Sequence, residues 1–593
     1  MAADIPRVSG FASLAGGMES SVDPALLAEN QFVRGVNITT RDGLPRMRDG
    51  FARVLQFATG TYRGGKVWSL NSGDYLTYVI DGTVYVADID GATITSLGAL
   101  FPVATSRCYF CQADQWMVIQ DGSDRPVVLQ QVGGVFSVYG RNPPEVSLVP
   151  GTVMLYSHRR LHYIPKVVPT YDPAVTPATV SNVPIASTIE GRVCIVSSDI
   201  RDILNPEWIF RMSEHRVLNG GGGRALPEEL GFITALGVLR GAATGTGVGE
   251  SIVFAREGVC GFDFSFPRTQ WDNANLARML FQGAGTITPE AVTQVNNDLV
   301  YIDLNGYVRR LLYDASTLNG SGGNLSNIPA SLPMTYYHNL SGVTELAAAS
   351  ATFVDNRYLW TLKGKTGALY DGLGVLDTSA SVFTGVNNPM KYDGVWTGFD
   401  FQQVVGMKSN GQRRLVIVAK GANDTNYLLM QSPGTYYDNG TTAIRSCVVS
   451  RVTNFIEPLK TKELRSVTLD LSDIRTPVVV TVLYRPRGFP TWTSMGTRTI
   501  NVPGGGPQIR KSVQFVVDTT TVSCDDISEI PLNVADEFQF ALQWTGFCRI
   551  DRCMEFANAK DKSPSDMCEA DNADDSTLPL TENLDDFGYK VTL

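Results

Sequence analysis

Between residues 62 and 435 one pattern recurs six times: an apolar run, a glycine-bearing turn, then a second run that often carries tyrosine. Tyr75 to Ile80 and Thr83 to Asp88 flank Asp81-Gly82, and Gln115 to Gln120 and Pro126 to Gln130 flank Asp121-Gly122. The others centre on Glu257-Gly258, Asn305-Gly306, Gly364 with Gly367, and Gly421 to Asp424. Asp-Gly and Asn-Gly between strand-forming runs are strong hairpin signals, because such turns need positive φ. Six hairpins of one type leave many strand edges to hide. Radial repetition hides them, so the predicted fold is all-β and multidomain, with a β-propeller-like domain, β-sandwich domains and few short helices. Two or three separate sandwiches are the alternative.

A chain of 593 residues is too long for one core. The composition shifts predict four parts: a helix/hairpin module over 1–55, the propeller-like domain with loop insertions over 56–440, a β-sandwich over 441–560, and an acidic arm over 561–593. In the first, Asp23-Pro24 caps a short helix that runs through Glu29, and Asp42-Gly43 and Asp49-Gly50 mark turns. In the third, apolar and polar residues alternate at Leu464, Val467, Leu469 and Leu471, and again at Phe538, Phe540, Leu542 and Trp544. The arm holds nine acidic residues and one lysine between Asp561 and Asp586, a composition that stays extended. Short helices are predicted at Asp199–Leu204 and Asn275–Phe281. Insertions at 168–184, 219–224 and 319–327, rich in Pro, Thr, Gly or Asn, read as projecting loops.

Charged residues are only 18% of the chain against roughly 25% in ordinary globular proteins, so part of the surface is expected to be covered by neighbouring subunits. The net charge of −10 argues against tight wrapping of nucleic acid, though not against DNA sliding past. No run of 18 apolar residues occurs, so a spanning helix is not expected. The first residues lack a basic stretch followed by a long apolar run, so no secretory signal is read. Nine sparse cysteines then predict reduced thiols made in a cytoplasm.

Few residues offer chemistry. The four histidines are His158, His162, His215 and His338. His158 and His162 lie four apart, but in a strand that spacing is roughly 13 Å, too far for one ion. They read as a polar strand face beside Arg159 and Arg160. Cys108 and Cys111 form a lone CxxC in a β-like run, which reads as buried thiols; Cys548 and Cys553 read alike. Asp88, Asp90 and Gly91 resemble the start of a calcium loop, yet Ala99 stands where the closing Glu belongs. Asn219 to Gly223 lacks the lysine of a phosphate loop and reads as a flexible linker. No paired carboxylates are evident. The expectation is therefore no catalytic, cofactor-binding or metal residue, no cofactor, and no enzyme.

Several stretches nevertheless resemble the tail nozzle (tail tubular) proteins of short-tailed bacteriophages, the podoviruses. The opening matches their pattern at Gly16, Gly17, Asn37, Arg41, Gly43, Arg46, Gly50 and Phe51. GTITPEAVTQVNNDLVYIDLNGYVRRL, VSSDIRDILNPEWIF, and SRVTNFIEPLKTKELRSVTLDL with LQWTGFCRIDRCMEFA are similar to further recurrent stretches. The resemblance implies a structural virion protein synthesised in the bacterial host cytoplasm. It implies a homohexamer below the tail adaptor (head-to-tail connector) protein, with tail fibres or tailspikes as further partners. The ring would retain the packaged genome and provide the channel for DNA ejection, the DNA passing through its lumen without specific binding. The three insertions would supply gating loops. The competing reading is a carbohydrate-binding or depolymerising tail β-propeller; a third is a scaffold propeller for cellular proteins.

Overall fold

The computed structural model describes residues 7–559 except 106, 142–147, 149, 172–179, 185–193, 202, 205–221, 227, 241–248, 263–276, 284, 315–323, 330–347, 363–371, 380–389, 456–459, 490, 503–507, 518–520 and 525–526. The chain is all-β and multidomain. Seven four-stranded antiparallel units can be traced among the described residues, six as separate sheets and one inside a larger sheet. We call them blades 1 to 7: 62–99, 109–140, 151–225, 233–282, 293–329, 351–396, and 400–431 completed by Phe51–Thr59. The first strand of each blade packs on the first strand of the next, and Asp400–Ser409 of blade 7 packs on Tyr62–Leu70 of blade 1. The ring is closed; this is a seven-bladed β-propeller.

Ring closure depends on strand exchange. Three strands of blade 7 come from late in the chain, and its fourth is the early strand Phe51–Thr59, paired antiparallel with Thr425–Gln431. The blade interfaces explain why the apolar runs are nearly continuous. Blade strands bury both faces, so both alternating sets of side chains must be apolar. In Gly73–Ile80, Leu76, Tyr78 and Ile80 enter the core shared with blade 7, while Tyr75 and Val79 enter the core shared with blade 2.

The six predicted hairpins are the middle strand pairs of six blades. Ile80 pairs with Thr83 across Asp81-Gly82, with φ of 44° and 79° at the two turn residues. The seventh middle pair, Arg160–Pro165 with Cys194–Ser197 in blade 3, is split by an insertion and has no local signature. The turn at Gly364 and Gly367 lies outside the described residues, as does the acidic arm.

The second body is a sandwich. One sheet contains Lys462–Ile474, Gln508–Val516 and Arg549–Ala559, joined by Arg7–Phe11 and the short strands Ile38–Thr39, Arg46–Met47 and Val534–Ala535. The facing strands are Gln31–Val36, Arg445–Thr453, Phe538–Thr545, Val478–Pro486 and Thr493–Ile500. Both alternating series predicted from sequence point into the space between, where Leu464, Val467, Leu469, Leu471, Phe538, Phe540, Leu542 and Trp544 form one buried core. The facing sheet continues into the propeller: Gln31–Val36 lies parallel to Lys391–Trp396, the outer strand of blade 6, at Val36 and Val395. Residues 7–55 thus contribute strands to both sandwich sheets and to blade 7.

Several local expectations are corrected. The helix after Asp23 is one 3-10 turn, Pro24–Leu26, whose Ala25 N–H donates to the Asp23 carboxylate at 2.8 Å. Ala277–Gln282, read as helical, is the outer strand of blade 4, because pairing with Gly258–Phe262 outweighs a weak local preference. At the other helix prediction, Asp199 to Arg201 form a turn tied by the Arg201 N–H to the Arg159 carbonyl. Gly222 and Gly223 are not linker; they lie in Gly222–Ala225, paired with Cys194–Ser197. In 319–327, Asn324 to Asn327 lie in the outer strand of blade 5 rather than a loop. In 168–184, Val167–Tyr171 and Val180–Pro184 pair as a two-stranded ribbon.

Candidate functional site

The segment from Asn37 to Phe51 joins the propeller to the sandwich, and its polar residues do most of the joining. Asn37 takes the left-handed conformation at φ 54°, a region Asn tolerates better than most residues. Its amide donates to Thr397 Oγ1 at 3.0 Å and to the Arg445 carbonyl at 2.9 Å, and its Oδ1 accepts from Arg48 Nε at 2.9 Å. The Arg48 guanidinium then donates bidentately to Asp438, at 2.9 and 2.6 Å, and to the carbonyls of Asp49 and Thr397, each at 3.0 Å. All five of its N–H donors are used, and both side chains are fully buried. Asp438 also accepts from the Phe51 N–H at 3.0 Å, which fixes the start of the strand that closes blade 7.

A second knot lies beside it on blade 6. Thr39 and Thr40 donate to the carboxylate of buried Asp393, at 2.9 Å each through their hydroxyls. Arg357 donates to Thr39 Oγ1 at 2.8 Å and stacks over Trp396. Burial pushes Asp393 up and Arg357 down, and their mutual attraction opposes both shifts. Arg41 clamps Asp377 at 3.1 Å and Asp355 at 2.8 Å. Gly50 allows the close approach: a Cβ there would lie 2.2 Å from the Tyr437 carbonyl oxygen. Four of the eight residues quoted from the opening pattern, Asn37, Arg41, Gly50 and Phe51, are thus joints of the architecture.

The axial opening is the other candidate feature. Arg107, just before the first strand of blade 2, and Glu290, just before that of blade 5, form an ion pair at 3.7 Å. Blades 2 and 5 do not adjoin, so this pair crosses the mouth of the axis. Arg107 also lies over the Tyr109 ring, 5.4 Å from its centroid. Tyr62 of blade 1 donates to Gln403 of blade 7, whose amide donates back to the Gly65 carbonyl at 2.6 Å. Burial, with the nearby Glu290 charge, pushes the Tyr62 phenol far up, so it stays a neutral donor.

The residues singled out from sequence have structural places. His158 and Arg159 are the two turn residues between the first strands of blade 3, with φ of 51° and 61°, rather than part of a strand face. His162 is fully buried; its Nδ1 meets Ser197 Oγ at 2.6 Å and its Nε2 meets the Ser157 carbonyl at 3.2 Å. Burial pushes its pKa down to about 3, so the ring is neutral. Cys108 and Cys111 point to opposite faces, into the cores of blades 1–2 and 2–3 respectively, and burial raises both thiols to about 12 and about 11. Cys548 and Cys553 are buried in the sandwich core. Asp88 Oδ1 accepts from the Gly91 N–H at 3.0 Å, while Asp90 accepts from Ser409 at 2.7 Å and so ties blade 1 to blade 7. His215 and His338 lie outside the described residues. Among the described residues, no three or more His, Cys, Asp or Glu side chains gather as a metal site, and no helix is long and apolar enough to cross a membrane.

Sequence reasoning missed Arg48, Asp438, Arg107 and Glu290. Each pairs with a residue more than 180 positions away, and no local spacing announces such a partner.

No family model matches the chain, and no curated protein matches it. Among solved structures it is similar to the β-propeller domain of Myceliophteria thermophila Cps50 (Swd1), with 9% identity, 64% of this chain and 100% of that chain covered, and a TM-score of 0.34. It is similar to the computationally designed Ika8 protein at 13% identity, with 64% and 99% covered and a TM-score of 0.32. It is also similar to Saccharomyces cerevisiae Sqt1 at 9% identity, with 65% and 99% covered and a TM-score of 0.32.

Proposed function

We propose that the chain is a structural virion protein, the tail nozzle subunit of a short-tailed phage. In this reading six copies form a ring below the adaptor, retain the packaged genome, and provide the channel for its ejection. The observation that carries the proposal is the welding of propeller to sandwich by the buried Asn37–Arg48–Asp438 knot and a shared sheet. A ring holding DNA under pressure needs subunits that do not hinge between domains. Buried bidentate pairs and continuous strand pairing give such stiffness.

Two further features support it. Side chains cross the propeller axis, which favours a lumen between subunits over a path through each propeller. The net charge of −10 repels DNA and so lets it slide. The assembly is mechanical in this account, with no catalytic role. Its contacts are the adaptor ring and, at the periphery, tail fibres or tailspikes. The ribbon Val167–Tyr171 with Val180–Pro184 is the gating element of choice, since it is inserted between the two middle strands of blade 3.

Electron microscopy of particles assembled with the adaptor, or of virions, tests this. Six copies of the 64.4 kDa chain around an open lumen are expected. An assembled state without a central opening, or polysaccharide cleavage abolished by one side-chain substitution, would overturn it in favour of the depolymerase reading.

A further inference from the structure

The sandwich is open along one edge. Gln508–Val516 pairs with Lys462–Ile474 on one side, and no described strand pairs with it on the other. In an antiparallel ladder, alternate residues turn their N–H and C=O toward opposite neighbours. The Val517 N–H donates to the Arg465 carbonyl, and Val516 stands opposite Ser466. The backbone groups of Arg510, Ser512, Gln514 and Val516 therefore face the open side. All four residues are exposed, Val516 to 57%. Beneath them the core is incompletely covered: Val502, Val513 and Val517 pack on it but are only half-buried. Thr493–Ile500, the last strand of the facing sheet, lies against the same edge.

The edge is also basic. Arg498 lies over the Phe515 ring, 5.9 Å from its centroid, Arg510 reaches Asp470 at 3.2 Å, and Lys511 is exposed. Three cations thus line an edge whose backbone still has hydrogen bonds to make. A long open edge of this kind recruits another strand. A second copy of the same edge is a poor occupant, since it would set like charges opposite one another.

The chain carries a strand-forming sequence of its own beyond Ala559, outside the described residues. Phe587, Tyr589, Val591 and Leu593 alternate with Gly588, Lys590 and Thr592, the period of a strand with one apolar face. The tract before it, between Asp561 and Asp586, holds nine acidic residues and one lysine. The starting point also fits. Ala559 pairs with Lys462 and Val516 with Ser466, so the arm leaves the sheet at the end where Val516 lies, two strand spacings, about 10 Å, across the sheet. The 27 residues from 560 to 586 can span up to roughly 90 Å. We infer that residues 587–593 add to Gln508–Val516 of their own chain as an edge strand, steered there by the attraction of the acidic tract to Arg498, Arg510 and Lys511. Entry from the Val516 end favours the antiparallel direction. The added backbone pairs with the open groups of Ser512, Gln514 and Val516, and its apolar face covers Val502, Val513 and Val517. The contact does not depend on the assembly proposed above.

The test is hydrogen exchange of the full chain, read at single amides by fragmentation mass spectrometry. The arm variant Lys590→Pro with Val591→Pro places prolines at adjacent positions, one of which must lose a ladder donor, and it leaves both packed bodies untouched. In this variant Ser512, Gln514 and Val516 should exchange about tenfold faster than in the wild type, or more. Tyr589→Asp, which breaks the apolar face, and Lys511→Glu, which reverses a charge on the receiving edge, should each speed the same amides. Exchange in Val478–Pro486 should not change in any of them, and the wild-type protection should be the same at every protein concentration. Equal exchange at Ser512, Gln514 and Val516 in the wild type and the proline variant would overturn the inference. So would protection that fades on dilution, which belongs to a second copy, or protection that arises only when the adaptor is added.

Discussion

Arg48 and Asp438, 390 positions apart in the chain, meet in a bidentate ion pair of 2.6 and 2.9 Å from which solvent is fully excluded. The pair sits where the early chain, the linker between blades 6 and 7, and the linker into the sandwich come together. Removing one partner leaves the other charge buried without compensation. Arg48→Ala or Asp438→Ala should each cost about 3–5 kcal/mol. Chemical denaturation is expected to split into separate propeller and sandwich transitions in these variants. A single transition with a loss under about 1 kcal/mol would show that the knot is dispensable.

Phe51 begins the strand that closes blade 7 and packs edge-on against Trp396 and Phe399. It is fully buried in the core between blades 6 and 7. Phe51→Ala should lower stability by about 3–5 kcal/mol. Hydrogen exchange in Thr425–Gln431, its partner strand, should accelerate more than in blade 2.

His162 makes the fold sensitive to acid. Its folded pKa lies at about 3, below the ordinary value of 6.5. The unfolded chain therefore takes up a proton first as pH falls. The stability this group confers is present above pH ~6.5 and is lost toward pH ~3, by about 1.4 kcal/mol per pH unit. Urea midpoints between pH 7 and 5 should fall less steeply in His162→Gln than in the wild type.

Gly82 and Gly133 both have positive φ, 79° and 58°, yet only one is crowded. A Cβ on Gly82 would lie 2.1 Å from the Phe101 carbonyl oxygen, while one on Gly133 meets nothing within 4 Å. Gly133→Ala should cost about 1 kcal/mol, the left-handed penalty alone. Gly82→Ala should cost clearly more, because backbone must shift. Equal losses in equilibrium unfolding would mean that the first blade-to-blade connection is soft.

Cys108, Cys111, Cys260, Cys447, Cys548 and Cys553 are free and buried. Desolvation raises every one of these thiols. Mapping by mass spectrometry after treatment of the native protein with a thiol reagent should find none of the six modified. All six should react after denaturation.

Strand content and hairpin turns were legible because their causes are local. Asp81-Gly82 and Asn305-Gly306 need positive φ and flank runs that are apolar on both faces, whatever surrounds them. Blade 3 was not legible, because an insertion separates the two strands of its middle hairpin. The stretch that became Ala277–Gln282 was misread for a related reason: its partner strand, and not its own preference, makes it extended. Of the joining residues, the sequence reading noticed Asn37, Arg41, Gly50 and Phe51 only as a pattern, and passed over Arg48.

By itself the amino-acid order determined an all-β chain with repeated hairpins and an alternating late sheet, since turn chemistry and two-residue periodicity act over a few bonds. Only the tertiary structure decided the number of blades, the strand that closes the ring, and the partners of Arg48 and Arg107. Those depend on pairings hundreds of residues apart, and their free energy exists only once burial has removed the water between them.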